Sequence, residues 1–130
     1  MSDYIVPFYQ FEGARLCKKF DNDCVVRSIS IATNKLYKDV FRGLMMLGLE
    51  MGAFPDYDIV WIRYLEEQGF VKNRPPRVDG KLIKLGNWVD RPKTAVVRNS
   101  GHLTALSDGI VTDSWDCRYR PVNSYWTADE

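Results

Sequence analysis

The sequence predicts an α+β domain, and three observations carry that prediction. Apolar residues recur at helical spacing between Asn22 and Gln68, the period changes to two beyond Lys81, and Asp108-Gly109 separates two of the later apolar runs. The first pattern is that of amphipathic helices, the second that of strands, and the third is a two-residue hairpin signal. Helices are therefore expected to precede a twisted antiparallel sheet. With 130 residues, 45% of them hydrophobic, the chain can bury a core as one domain spanning residues 1–130 and has no length for a second.

The first helix is expected to begin at Asn22-Asp23, where either residue suits the N-cap, and to run through Val25, Val26, Ile29, Ile31 and Ala32 until Asn34 breaks the pattern. Cys24 then falls in its first turn. A second helix is expected over Val40 to Met51, with Phe41, Leu44, Met45, Leu47 and Leu49 apolar and Gly52 as the stop. A third is expected over Tyr57 to Gln68, its Ile59, Ile62 and Leu65 set among charged residues and Gly69 closing it. Pro75-Pro76 forces an extended connection. Strands are then expected at Lys81–Leu85, at Thr94–Arg98, and in the pair either side of Asp108-Gly109.

That hairpin sets a register. If Ser107 pairs with Ile110, Leu106 faces Val111, Ala105 faces Thr112, Thr104 faces Asp113, and the chain's only histidine, His102, lies opposite Trp115. Asp113 becomes the diagonal neighbour of His102, within reach of an imidazole hydrogen bond. A longer turn would bring Asp116 to the same place.

Charge and composition narrow the function. Eighteen Lys and Arg against seventeen Asp and Glu leave a net charge of +1, which provides no long-range attraction for nucleic acid or an acidic membrane. Four tryptophans, seven tyrosines and six phenylalanines without a basic patch are core material rather than stacking platforms for bases. No apolar run approaches the roughly 18 residues of a membrane span, and the N-terminus lacks the layout of a signal peptide. Three cysteines are too few for a disulfide framework and suit a reducing compartment, so a cytoplasmic protein is expected.

A cysteine is ordinarily a small buried hydrophobe. Cys24 differs in its polar approach, Asp21-Asn22-Asp23, and in its helix-start position, which together with an imidazolium lowers a thiol pKa. Cys17 and Cys117 lack that setting. The order Cys24, His102, Asp113 resembles that of the papain-like cysteine peptidases in their small, phage- or bacteria-type form. Asp113-Ser114-Trp115 is similar to the family's Asn-Ser-Trp, in which the Asn orients the imidazole and the Trp shields that contact. Cys24 resembles the nucleophile heading the family's central helix. The resemblance covers about Asn22 to Trp115 and implies a papain-like fold, with the nucleophile on the first core helix packed against the sheet.

It also implies a cysteine hydrolase cleaving a peptide, isopeptide or other amide bond of a protein or peptide substrate through a Cys24 thioester. His102 would be general base and acid, Asp113 its orienting partner and Trp115 the shield. Lys18 stands where the family has its oxyanion-hole glutamine, so Asn22 with the Cys24 N–H is expected to take that role. No cofactor is expected, since the chain has no glycine-rich phosphate loop. Arg27, one turn after Cys24, reads as a helix-surface cation that covers apolar neighbours. Two rival readings are a catalytically silent papain-like binding module and a zinc protein using Cys17, Cys24, Cys117 and His102. The latter lacks the short Cys-x₂₋₄-Cys spacing of structural zinc.

Overall fold

The computed structural model describes residues 4–12 and 23–128, which form an α+β fold of three helices and a mixed six-stranded sheet. In chain order the elements are β1 (Phe8–Gln10), α1 (Cys24–Thr33), α2 (Tyr37–Met51), α3 (Asp58–Glu67), β2 (Phe70–Asn73), β3 (Arg77–Val78), β4 (Lys81–Leu82), β5 (Ala95–Arg98), β6 (Leu103–Ser107), β7 (Ile110–Asp113) and β8 (Ser124–Ala128). No helix among the described residues is long and apolar enough to cross a membrane.

The helices lie close to their expected positions. Asn34 ends α1 in the left-handed conformation and Gly52 ends α2 the same way, each closing the last turn with its backbone N–H. The buried faces differ in detail from the expected apolar positions. On α2 the core receives Val40, Leu44, Leu47 and Gly48, while Met45 and Leu49 are exposed. On α3 it receives Val60, Trp61, Tyr64 and Leu65, and Ile59 faces out. Trp61 and Tyr64 can take core places because each buries a large ring; the Trp61 Nε1–H donates to Asp58 at 3.1 Å.

The sheet order is β1-β7-β6-β5-β8-β2. The hairpin β6–β7 has the expected register, Ser107 with Ile110, Leu106 with Val111 and Ala105 with Thr112. Asp108 and Gly109 both take positive φ, 53° and 76°, as a primed two-residue turn requires. Three features correct the sequence reading. The sheet is not wholly antiparallel, because β1 runs parallel to β7 at one edge. The helices do not all precede it, because β1 comes before them and β2, following α3, pairs with β8 at the other edge. Lys81–Leu85 is not a strand of this sheet: Lys81–Leu82 pairs with Arg77–Val78 in a separate ribbon, and Lys84 makes an isolated bridge to Pro121.

Both faces of the sheet are covered. On one, α1 packs over β6, and Ile29, Leu44, Val60, Trp61 and Leu65 join Val96, Leu103, Ala105 and Trp126 in a core. On the other, Val6, Leu85, Trp88 and Val122 close over Ala95, Val97, Leu106 and Val111. The expected period of two is therefore weak in β5 and β6, whose residues are buried almost without alternation because both faces of the sheet are covered.

Candidate active site

Cys24 is the first residue of α1. The first helical hydrogen bond runs from the Arg27 N–H to the Asp23 carbonyl, 2.8 Å, so the N–H groups ahead of it have no acceptor within the helix and present a partial positive charge to an anion. The Asp23 side chain does not cap the helix; it pairs with Arg27 and accepts a hydrogen bond from the Tyr37 hydroxyl at 3.0 Å. The thiol of Cys24 is half-buried and unpaired by any disulfide.

His102 reaches that thiol from the end of a hairpin. Ser100 and Gly101 link β5 to β6 with φ of 58° and 80°, and the Asn99 N–H bonds to the His102 carbonyl at 2.8 Å. A tight turn thus ends on the histidine and fixes its backbone one residue before β6. Glycine is needed at 101 because a side chain there would be strained in the left-handed region.

The imidazole Nε2 lies 2.7 Å from Asp113 Oδ2. This is the neighbour that the hairpin register requires; Asp116 is turned away, bound to the Arg118 guanidinium at 2.8 and 2.9 Å. Trp115 lies against the ring, with centroids 4.5 Å apart, and carries the Arg120 guanidinium over its own ring at 5.0 Å.

Electrostatics follow from the contacts. Burial pushes the Cys24 thiol up, but hydrogen bonds from His102 and the Leu103 backbone, with the charges of His102 and Arg27, bring it below its ordinary value. Burial disfavours a charged His102, yet hydrogen bonds with Asp113, Cys117 and Cys24 and the charge of Asp113 push its pKa up to about 11. Burial also opposes ionisation of Asp113, and it too is outweighed, by the His102 hydrogen bond and the His102 and Arg27 charges. All three directions favour the charged form of the group: thiolate, imidazolium and carboxylate. With Nε2 committed to Asp113, Nδ1 is the ring nitrogen left for exchange with the thiol.

A cleft of about 420 Å³ opens over Cys24 and His102, walled by Trp61, Trp115, Asp56 and the Asp58–Arg98 ion pair. Its size suits a few residues of an extended peptide or a small acyl group.

Sequence reasoning missed two neighbours. Arg27 is not on the helix surface: it is 2% exposed and its guanidinium bridges Asp23 and Asp113, the latter at 3.0 Å. The clue was that Arg27 is the one charged residue within the helical run from Cys24 to Thr33, with Asp23 one turn before it. Cys117 is fully buried with its Sγ 3.5 Å from Asp113 Oδ2. Cys17 and Asn22 lie outside the described residues. Cys24 and Cys117 both approach His102, and donor atoms of His102, Asp113 and Cys117 lie within 4.8 Å of one another. These three groups are hydrogen-bonded among themselves and their carboxylate is already paired with Arg27, so a cation there would have to displace the protons of His102 and Cys117. Compared with known proteins, the chain matches no protein-family model, no curated protein and no solved structure.

Proposed function

We propose that the protein is a papain-like cysteine hydrolase that cleaves a peptide, isopeptide or other amide bond through a Cys24 thioester. The observation that carries this reading is the placing of Cys24, at a helix N-terminus, beside His102 in one cleft, with the imidazole Nε2 2.7 Å from Asp113 behind it. A thiol for structural purposes needs neither an imidazole nor a route to substrate.

In the mechanism, the Cys24 thiolate attacks the acyl carbon, and the electron pair of the carbonyl moves onto oxygen. The Cys24 N–H at the head of α1 is the described donor best placed to stabilise that oxyanion, helped by the helix dipole. Protonated His102 passes its Nδ1 proton to the leaving nitrogen as the C–N bond breaks, leaving a thioester. Neutral His102 then takes a proton from water, whose oxygen attacks the thioester carbon. Collapse releases the acid and restores thiolate and imidazolium. Asp113 holds the ring by Nε2 throughout and stabilises its charge, while Trp115 limits water around that contact. The free thiols of Cys24 and Cys117 suit work in the reducing cytoplasm.

The test is incubation with a peptide library derived from a cell proteome, read by mass spectrometry for new termini. Wild type is expected to generate termini at a restricted set of sequences and Cys24→Ala none. Identical termini from both, or none from either, would overturn the hydrolase reading; the second result favours a silent binding scaffold.

A further inference from the structure

We propose that Arg27 is a positioning residue of this site, an internal clamp that fixes Asp113 against His102 and Cys24 against both; this rests on the triad reading above. The guanidinium is 2% exposed and has a carboxylate at each end of its fork, Asp23 on one amino group and Asp113 Oδ1 on the other. Asp23 immediately precedes the nucleophile, and Asp113 ends β7, the hairpin partner of β6, whose first residue follows His102. One side chain therefore ties the head of α1 to the end of β7, 86 residues apart.

A buried arginine is expensive to desolvate unless its partners compensate, and a staple between helix and sheet could be made by an apolar side chain instead. What an apolar residue cannot do is balance charge. Asp23, Asp113 and the Cys24 thiolate are three anions in one partly buried cluster, facing Arg27 and the His102 imidazolium. Removing Arg27 takes away one of the two cations that face this cluster among the described residues, and the group easiest to protonate is then driven toward taking up a proton. Arg27 also decides geometry: by occupying Oδ1, together with the Ser114 N–H at 2.6 Å, it leaves Oδ2 for the imidazole. Both carboxylate oxygens thus accept hydrogen bonds, a demand an amide cannot meet, which gives a physical reason for aspartate at 113.

The test is the pH dependence of Cys24 alkylation by iodoacetamide, read by mass spectrometry on the full chain as wild type, Arg27→Gln, Arg27→Lys and His102→Ala. Arg27→Gln is expected to raise the midpoint by about one pH unit, so that labelling near pH 6 drops about tenfold relative to labelling near pH 9. Arg27→Lys keeps a charge that cannot span both carboxylates, and a drop of about threefold is expected. A residue that merely held helix to sheet would change stability and leave the midpoint in place. If Arg27→Gln does not fold, the lysine variant decides. A folded Arg27 variant with the wild-type midpoint overturns the clamp, provided that His102→Ala moves it. If His102→Ala leaves the midpoint unchanged as well, the triad reading has failed and the clamp with it.

Discussion

Replacing Asp113 by asparagine removes one charge at nearly constant shape, and its consequences can be worked from the hydrogen bonds. Oδ1 accepts from Arg27 at 3.0 Å and from the Ser114 N–H at 2.6 Å; Oδ2 accepts from His102 at 2.7 Å and from the Cys117 thiol at 3.5 Å. An amide has one acceptor end and one donor end, so two of these four donors must face an NH₂. At about 1 kcal/mol for a neutral hydrogen bond and about 1.5–3 kcal/mol for one to a charged group, the loss is about 3 kcal/mol, or roughly 10 °C in melting temperature for a domain of this size. If the NH₂ faces His102, Nε2 becomes an acceptor, the remaining ring proton sits on Nδ1 toward Cys24, and the ring can no longer take the thiol proton. Cys24 alkylation near pH 7 then falls about tenfold toward that of an ordinary thiol. Thermal unfolding and iodoacetamide labelling measure the two effects. An Asp113→Asn protein with wild-type melting and wild-type labelling would refute the reasoning outright. The sign with pH is fixed as well. The folded Asp113 pKa lies below its unfolded value, so its contribution is present above about pH 4 and lost as pH falls through the lower folded value. The gap in melting temperature between wild type and variant should therefore narrow in acid.

Further outcomes follow from the same site. The His102 pKa, pushed up to about 11, means that the ring contributes stability fully below about pH 6.5 and loses it as pH rises through about 11. Its Cε1–H resonance should accordingly stay at the imidazolium position through about pH 9, and an inflection near pH 6.5 would contradict this. Trp115→Ala removes a ring that is 36% exposed, so melting should change by no more than about 1–2 kcal/mol, while turnover of any peptide found in the library falls about tenfold as water enters the His102–Asp113 contact. Gly101→Ala places a Cβ at φ of 80°, costing about 1–2 kcal/mol, and should slow Cys24 labelling by shifting His102; full retention of both properties would show that this turn does not set the histidine.

The candidate site was largely legible because its parts announce themselves locally. Cys24 follows a polar approach at a helix start, and the Asp108-Gly109 turn converts the spacing of His102 and Asp113 into a contact. Arg27 was not legible: helical position alone does not say whether a residue faces solvent or a carboxylate donated by a strand 86 residues later. Cys117 was dismissed for want of a polar neighbourhood, and it acquires one only through the return of the chain after β7. In the fold, the parallel pairing of β1 with β7 depends on three residues and a partner a hundred positions away, which leaves no periodic trace. For β8 the trace existed, since Tyr125-Trp126-Thr127 favours a strand, but it is short and lies near the chain end.

The central claim is that Cys24 and His102 form a thiolate–imidazolium pair, and the most direct measurement is the rate of Cys24 alkylation by a small haloacetamide against pH in wild type and His102→Ala. The pair predicts rapid labelling of Cys24 well below the ordinary thiol value of about 8.5, lost in the variant, with Cys117 protected by burial in both. Slow labelling at Cys24, unchanged when His102 is removed, would contradict it.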